Sequence, residues 1–548
     1  MYIRTISRTN KDGSVVQYVQ LAHNSRHPDK GYSKAEVIYS FGRRDTLDIE
    51  AIKRLVKSLS RFLEPGQALD LQSCGSADFK FMGSKPCGGA YLLRQSWKRL
   101  NLHSCLAQAI SRRAYTAPIA EAIFAMVANR ALAPSSKLSI EEWTEKDVFL
   151  GNDEQIKAQH CYRAMDFLLQ HDEALQKEVF WSTANLLNLE VDLIFFDTTN
   201  TYFEIDEPGD SELKKYGHSK HKRDDLPQVT IGLAVTRKGI PVRCWVMPGN
   251  QSDAAAVDTI QRDLTGWSLG RVVWVMDRGM ASEENRRILQ RAGGNYILGE
   301  KLRGVTENAE ALSRPGRYKT VRDNLRVKEV RLGEGLEQRR FVVVHNPDEA
   351  TKDKASRERL VARIEAELAV MAELPAAKRK AAAGKLLGHR SMSRFLQEKA
   401  DGGVKLHRAK VREEERLDGK FLLSSSCETL SAEDIALGYK QLLDVERAFR
   451  TLKSSLDLRP VYHSKDERIR AHVLICWLAL MLVRIAEVET GLSWDRIRSE
   501  MDRQHLGEFL GGSGRILQRT ELNSAQLNIL KKLKIKPPQI IERLDPTA

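Results

Sequence analysis

Cysteine is scarce and scattered in this sequence. The 548 residues include seven cysteines, none of which forms a Cys-x-x-Cys pair: Cys74, Cys87, Cys105, Cys161, Cys244, Cys427 and Cys476. This spacing excludes a disulfide framework and a zinc ribbon as organising features of the fold. We expect the thiols to be reduced and buried.

Long apolar runs are also missing. No stretch reaches roughly 18 uninterrupted apolar residues, and the opening segment MYIRTISRTNKDGS lacks the apolar run of a signal peptide. The most apolar segment, RIRAHVLICWLALMLVRIAEV, is interrupted by charge and predicts a buried helix rather than a membrane span. We therefore expect no membrane partner and a cytoplasmic location.

Acidic residues are outnumbered by basic ones. The chain has 87 Lys and Arg against 73 Asp and Glu, which gives a net charge of +14. Such an excess attracts polyanions, nucleic acid first among them, although a basic protein that binds nothing acidic has the same composition. The hydrophobic share of 42% is enough for real cores and excludes wholesale disorder.

Apolar periodicity divides the chain into five segments. Residues 1–75 alternate in short bursts and predict a small β-rich unit with a helix, and residues 90–190 have the spacing of an α-helical region that could hold DNA or act as a spacer. Residues 191–300 predict an α/β unit, residues 301–425 an inserted subdomain that contains strands, and residues 426–548 a return to helices. A chain of this length is expected to hold roughly three to four domains.

The α/β segment has a definite order of elements. The runs VDLIFF, QVTIGLAV, IPVRCWVM, RVVWVM and YILG predict strands, and two helical stretches lie on either side of the fourth run. The predicted order is three strands, helix, strand, helix, strand, with a hairpin at TRKG between the second and third strands.

Two predicted strands end in aspartate. Asp197 follows the apolar run of LIFFDTTN, and Asp277 follows that of VVWVMDRGM. The carboxyl ends of parallel strands meet at one edge of an open α/β sheet, so these two acids could converge there. An aspartate after a strand is more often a turn former or a helix cap, and that reading stays open for each of them alone.

A third acid lies on a late helix. In LLDVERAFRTLK, the apolar residues form one stripe, and Glu446, Arg450 and Lys453 form a second stripe on its border. The alternative is a solvated Glu-Arg pair one helical turn apart. Three carboxylates that share a pocket would repel one another unless a cation is present, and hard Mg²⁺ prefers such oxygen ligands.

Three motifs together resemble those of the DDE-type insertion-sequence transposases: FFDTTN, VMDRGM and YKQLLDVERAFRTLK, in that order and with a long insertion before the last. The resemblance implies an α/β fold with an RNase H-like core, a mixed sheet with helices, interrupted by an inserted β-containing subdomain and completed by the C-terminal helices. It also implies that Asp197, Asp277 and Glu446 are both the catalytic residues and the metal ligands. We expect Mg²⁺, with Mn²⁺ as a substitute.

The same resemblance implies DNA partners and an assembly. The expected substrates are the terminal inverted repeats of an element and a target DNA, held by a homodimer or a larger synaptic complex. The expected chemistry is two-metal cleavage of phosphodiester bonds and transfer of the 3′ hydroxyl to the target. A bacterial-type protein of this kind would associate with the nucleoid when it is bound to DNA.

One subgroup of this family carries a Tyr, Arg, Glu, Lys signature. The sequence matches it at Tyr439, Glu446 and Lys453, but Leu442 stands at the arginine position. The match implies that Tyr439 and Lys453 bind DNA phosphate. We expect Arg450, or alternatively Arg447, to take the phosphate-binding role, and Arg450 is preferred because it shares the helix face of Glu446.

A basic loop, YGHSKHKRDD, adds further candidates for DNA contact. Its cationic residues Lys220, Lys222 and Arg223 follow Asp197 closely in the sequence, although a solvated loop would have the same composition.

Other functions remain open at this level. They are a metal-dependent nuclease that cannot join DNA, a non-catalytic DNA-binding derivative, and a chain in which the acids are only caps and ion pairs. If the chain is a transposase of this family, we expect Asp197, Asp277 and Glu446 to lie close enough, even without metal, to hold two cations about 4 Å apart.

Overall fold

The structure is a computed structural model that describes all residues except 11–13, 27–32, 61–78, 111–117, 153, 188–191, 206, 221, 266, 268–271, 292, 336–337, 401, 460, 462, 512–513 and 547–548. The chain divides into two compact units. The smaller unit comprises residues 1–84, 507–520 and 538–548, and the larger one comprises residues 85–506 and 521–537.

The smaller unit is built mainly from antiparallel strands. Its first sheet has the order β1-β2-β3, with β1 at Tyr2–Thr9, β2 at Val15–Arg26 and β3 at Ser33–Arg43, and helix α1 follows at Ile49–Ser60. A second sheet has the order β18-β17-β16-β4 and contains β4 (Lys80–Pro86), β16 (His505–Gly511), β17 (Gly514–Arg519) and β18 (Ile541–Pro546). The predicted boundary at residue 75 falls among residues 61–78, which lie outside the described residues.

The larger unit begins with helices. They are α2 (Gly88–Arg99), α3 (Leu102–Ile110), α4 (Ile119–Leu132), α5 (Ser139–Glu142), α6 (Ala158–Gln170) and α7 (Asp172–Leu187). Helix α4 packs against α6 and against a late helix, α16 (Asp466–Thr490), and its residues from Ala122 to Ala131 are buried all round. A helix that is apolar on every side has to lie inside a core, as these two do.

A nine-stranded mixed sheet follows, in the order β10-β11-β12-β15-β9-β8-β5-β6-β7. The first strands of this sheet in the chain are β5 (Leu193–Tyr202), β6 (Gln228–Thr236), β7 (Pro241–Pro248), β8 (Val273–Met276) and β9 (Asn295–Glu300), with α8 (Asp253–Thr265) and α9 (Glu283–Arg291) on either side of β8. Strands β5, β6 and β7 are antiparallel neighbours, whereas β5 pairs with β8 and β8 with β9 in parallel. This order of elements and this mixed sheet confirm the predicted α/β core of RNase H-like type.

The segment that the sequence predicts as an insertion extends the same sheet. Strands β10 (Lys319–Arg322), β11 (Leu325–Leu332), β12 (Arg339–His345) and β15 (Lys420–Ser425) are added outside β9, and β15 pairs antiparallel with β9. The rest consists of α10 (Thr306–Ser313), α11 (Pro347–Ala372), α12 (Ala376–Gly388), α13 (Arg408–Glu415) and a ribbon of β13 (Leu396–Glu398) and β14 (Val404–Leu406). Most of these strands therefore belong to the main sheet, while α11, α12 and the ribbon enclose a small core around Ile364 and Phe395.

In the described residues, five helices follow β15, of which the first three contact the sheet and the last two pack against other helices. They are α14 (Ala432–Lys440), α15 (Leu442–Ser454), α16, α17 (Trp494–Met501) and α18 (Ser524–Lys532). The predicted apolar stripe of α15 is confirmed, since Val445, Phe449 and Leu452 are buried, Leu442 packs beside them, and Leu456, just after the helix, is buried as well. Within the described part of the chain, α16 alone is long and apolar enough to cross a membrane, and 89% of its apolar window is buried inside the protein.

Alternating side chains divide the core at the sheet. Leu193 and Phe195 of β5 face the core that contains α15 and α16, whereas Ile194 and Phe196 face a second core that contains α8 and α9. Strand β8 alternates in the same way. Because side chains along a strand point to opposite faces in turn, each strand residue has a defined side, and this decides where the acids lie.

The docking of α15 gives a first testable prediction. Leu452 is 2% exposed, so Leu452→Ala should leave a cavity and lower the free energy of unfolding by about 2–5 kcal/mol. The matched control is Leu527→Ala on α18, where the leucine is 43% exposed and a change below about 1 kcal/mol is expected. All eight tryptophans lie in the larger unit, so urea unfolding followed by tryptophan fluorescence reports on that unit alone. Equal effects of the two substitutions would contradict the packing of α15.

Candidate active site

Asp197 and Asp277 lie side by side at one end of the parallel strands. In the register of β5 and β8, Phe196 is opposite Met276, and each aspartate is the next residue. The prediction that the strand ends at Asp197 is wrong. Strand β5 continues to Tyr202 because residues Asp197 to Tyr202 keep pairing with β6, while β8 stops at Met276.

The two aspartates also share a face of the sheet. Leu193 and Phe195 of β5, and Val273 and Val275 of β8, all face the core that contains α15. Asp197 and Asp277 are the next alternate residues in these two series, so they lie on the same face of the sheet. Their carboxyl groups are therefore directed to the side that carries α14 and α15, since alternate side chains of a strand lie on one face. The sheet thus brings together two acids that the sequence separates by three strands and a helix.

Lys220 holds Asp197 together with a fourth acid, Asp253. The Lys220 ammonium donates to the carbonyl oxygen of Thr198 at 2.7 Å and to its Oγ1 at 2.8 Å. It lies 3.6 Å from Oδ1 of Asp197 and 3.5 Å from Oδ2 of Asp253. The Thr198 hydroxyl in turn donates to Asp253 Oδ1. Burial raises the pKa of the Asp197 carboxyl, and Lys220 opposes that rise.

Asp277 is held by Tyr439 of α14. The tyrosine hydroxyl donates to Oδ1 of Asp277 at 3.2 Å, and burial together with this neighbouring carboxylate raises the pKa of Tyr439. The tyrosine passes over Gly299 of β9, where an added Cβ would lie only 2.2 Å from the Tyr439 hydroxyl oxygen. The missing side chain at Gly299 is what lets Tyr439 reach the aspartate.

Glu446 shares a cavity with Asp197. This cavity measures about 410 Å³, and its walls include Asp197, Thr198, Lys220, Glu446, Arg450, Lys453 and Arg459. Glu446 and Arg450 are exposed, whereas burial lowers the pKa of Lys453 to about 8, with Arg459 and Lys220 acting in the same direction. Helix α15 therefore presents an acid and two cations to Asp197, on the stripe that the sequence predicts.

The other predicted DNA contacts lie outside this cavity. Arg447 and Lys222 are exposed, and neither lines the cavity as far as the described residues define it. Arg223 pairs with Asp225, with 2.9 Å from Nε to Oδ1, and its guanidinium lies 5.4 Å from the centre of the Tyr202 ring. Leu442, at the signature's arginine position, packs against the apolar core. Arg450 is thus the α15 arginine that lies at the cavity.

The carboxylates do not form a closed metal cage. Among the described residues, no group of three His, Cys, Asp or Glu side chains is close enough to hold a metal ion. The prediction of clustered carboxylates in the metal-free protein is therefore wrong. The physical reason is that Lys220 already neutralises Asp197 and Tyr439 already binds Asp277, so neither carboxylate needs to approach Glu446.

The donor groups nonetheless suit a hard divalent cation. Asp197, Asp277 and Glu446 offer carboxylate oxygens on facing elements, which is the ligand type that Mg²⁺ and Mn²⁺ take. The Lys220 ammonium lies among four oxygen atoms of Asp197, Thr198 and Asp253, in the way that a bound cation would. The residues therefore fit a cation at this edge of the sheet.

Sequence reasoning missed three residues of the site. Asp253 follows PGNQS at the start of α8, where it reads as an ordinary helix cap, and Arg459 follows α15 in a stretch without periodicity. Gly299 reads only as the end of a strand. A local pattern gives no signal for these residues, because each acts through a partner that is distant in the chain.

Comparisons with known proteins assign the family. The mixed sheet is of RNase H-like type, with Asp197 inside β5 and Asp277 directly after β8. A family model described as "Transposase DDE domain" matches residues 194–482, and one described as "IS1634 family transposase, N-terminal domain" matches residues 3–70. The first match covers more than half of the chain, so this chain belongs to the DDE transposases of insertion sequences.

Other comparisons are more distant. No curated protein matches the sequence at a significant level. One similar solved structure is a piggyBac transposase synaptic complex with hairpin DNA, studied by cryo-EM, with 9% identity and a TM-score of 0.35 over 78% of this chain and 82% of that chain. At this low TM-score, the family assignment rests on the family models.

The environment of Lys453 gives a second prediction. Only the neutral amine reacts with acylating reagents. Labelling of Lys453 should therefore reach half its maximal rate near pH 8, whereas a lysine with the reference pKa does so at about pH 10.4. Mass spectrometry of peptides after brief acetylation at several pH values measures this, with exposed Lys354 as the reference. Asp197→Asn should shift the Lys453 profile to still lower pH, because Asp197 favours the charged amine. Identical profiles for Lys453 and Lys354 would contradict the buried position of Lys453.

Proposed function

We propose that this transposase cleaves DNA at the ends of its element and joins the liberated 3′ hydroxyls to target DNA, with Asp197, Asp277 and Glu446 as the catalytic acids. The observation that carries the proposal is the cavity that Asp197 shares with Glu446, beside the neighbouring aspartate Asp277. The family match spans all three positions.

The three acids would hold Mg²⁺ or Mn²⁺ at the edge of the sheet. Bound cations of this kind supply activation of the attacking water or hydroxyl and stabilisation of the leaving oxygen. The protein contributes a rigid sheet that fixes the spacing of Asp197 and Asp277, and a tyrosine that fixes the orientation of Asp277. Such orientation matters because a misplacement of about 1 Å can cost about 10²-fold in rate.

The cationic wall of the cavity would hold the DNA backbone. Arg450, Lys453 and Arg459 line the cavity that contains Asp197 and Glu446, so a phosphate that enters it meets positive charge on one side and carboxylates on the other. Arginine binds phosphate through two parallel hydrogen bonds, which suits positioning of the backbone. We propose that the exposed Lys222 and Arg447 and the half-buried Arg223 extend this contact outside the cavity, and that two element ends are joined in a homodimer or larger synaptic complex.

The central test removes one carboxylate charge at a time. Asp197→Asn, Asp277→Asn and Glu446→Gln should each lower cleavage of a donor plasmid that carries the gene with its flanking DNA by about 10²–10³-fold or more, because charge stabilisation in the transition state is lost. Gel assays with Mg²⁺ or Mn²⁺ measure cleavage, and joined products measure strand transfer. The matched control is Asp495→Asn, an exposed acid that pairs with Arg498 on α17.

Two results would contradict this proposal. Full activity of any one triad variant would remove that acid from the catalytic set. Cleavage without joined products in the unaltered protein, under conditions in which target DNA is bound, would identify a nuclease that cannot transfer strands.

Gly299 tests the positioning of Asp277. Gly299→Ala should push Tyr439 away and lower cleavage by about 10²-fold, with DNA affinity unchanged. Gly384→Ala on α12 is the matched control, since an added Cβ there meets nothing within 4 Å. Tyr439→Phe keeps the ring and removes the hydrogen bond to Asp277, so it should also lower cleavage. Unchanged activity of both Gly299→Ala and Tyr439→Phe would show that this hydrogen bond is not needed.

A further inference from the structure

The Lys220 ammonium occupies a compact site made of oxygen atoms. Two of them, the carbonyl oxygen and the Oγ1 of Thr198, accept hydrogen bonds at 2.7 and 2.8 Å. The other two, at 3.6 and 3.5 Å, belong to the carboxylates of Asp197 and Asp253. The Lys220 side chain is 37% exposed, and four oxygen atoms from three residues lie around its ammonium.

Asp253 fixes this arrangement from a second element. It is the first residue of α8 and contacts both Thr198 and Lys220. Its carboxylate accepts a hydrogen bond from the Thr198 hydroxyl and forms an ion pair with the Lys220 ammonium. Asp253 has no counterpart in the three motifs that define the catalytic acids. Its position explains how the loop that bears Lys220 is held over β5.

A divalent cation at Asp197 and the Lys220 ammonium would be neighbours of like charge. Lys220 lies 3.6 Å from Asp197 Oδ1, so a divalent cation on the same carboxylate would be repelled by the nearby ammonium. The present position of Lys220 therefore opposes the binding of a cation to Asp197.

We propose that Lys220 is a built-in counter-ion of Asp197, positioned by Asp253, and that a divalent cation binds Asp197 only when the Lys220 ammonium leaves. This inference rests on the proposed function, because it assumes that Asp197 is a metal ligand. It goes further by naming Asp253 as a positioning residue and by making metal binding an exchange of cations. A DNA phosphate is a suitable acceptor for the displaced ammonium.

The test measures Mn²⁺ binding to the full-length protein without DNA, by electron paramagnetic resonance of the free ion. Lys220→Met should tighten the binding that depends on Asp197 by about tenfold, because removal of a like charge favours the cation. Lys238→Met, in the exposed turn between β6 and β7, removes the same charge and should leave the Kd unchanged. Lys220→Arg keeps the charge and should keep the weaker binding.

The Asp197→Asn protein distinguishes the two ways of failing. The counter-ion inference is overturned if the unaltered protein and Lys220→Met have the same Mn²⁺ Kd and Asp197→Asn binds no Mn²⁺. In that case the proposed metal site still stands. Absence of Asp197-dependent Mn²⁺ binding in every variant would contradict the proposed function and this inference with it. Thermal unfolding without metal confirms that each variant is folded. If Lys220→Met does not fold, Lys220→Gln replaces it as the neutral variant.

The role of Asp253 is tested by combining substitutions. If Asp253 positions Lys220, then Lys220→Met should improve the Mn²⁺ Kd by no more than about threefold in an Asp253→Asn background, because the two residues act as one unit. An undiminished tenfold gain in that background would show that Lys220 reaches Asp197 without Asp253.

Discussion

The site depends on the alternation of side chains across three neighbouring strands. In β5, β8 and β9, every second residue faces the helices α14 and α15, and Asp197, Asp277 and Gly299 all lie on that face. A shift of one residue in any of these strands would turn its functional residue to the opposite core. The apolar neighbours that fix the register, among them Phe195 and Phe196, therefore also fix the geometry of the acids.

Charge compensation is the second constraint on this edge of the sheet. Asp197 is partly buried beside Asp253 and Asp277, and carboxylates in such a place need a cation or a hydrogen-bond donor. The chain provides one of each, with Lys220 at Asp197 and Tyr439 at Asp277. Glu446 stands apart on the exposed side of α15, so the acid nearest to solvent is the one that these internal donors do not hold.

Much of the fold could be predicted from the sequence because its signals are local. The order of strands and helices from Leu193 to Glu300 follows from runs of β-branched and aromatic residues, and the buried stripe of α15 follows from its 3–4 spacing. The continuation of β5 beyond Asp197 could not be predicted, because the polar run TTNTY is held in the strand by its pairing with β6. The contacts of Lys220, Asp253 and Gly299 were equally out of reach, since each depends on atoms that are brought close only by the folded sheet.

The return of the chain to the sheet at β15 has a consequence for how such proteins can vary. Ser425 of β15 pairs with Ile297 of β9, and Ser431 caps α14 only a short way further along the chain. The helices that carry Tyr439 and Glu446 thus follow a strand that is paired into the sheet, whatever the chain does between β12 and β15. The inserted segment from Pro347 to Glu415 can lengthen, shorten or acquire a new partner without changing the positions of Tyr439 and Glu446. The length of this inserted segment is therefore independent of the geometry of the site, so insertions and deletions are tolerated there.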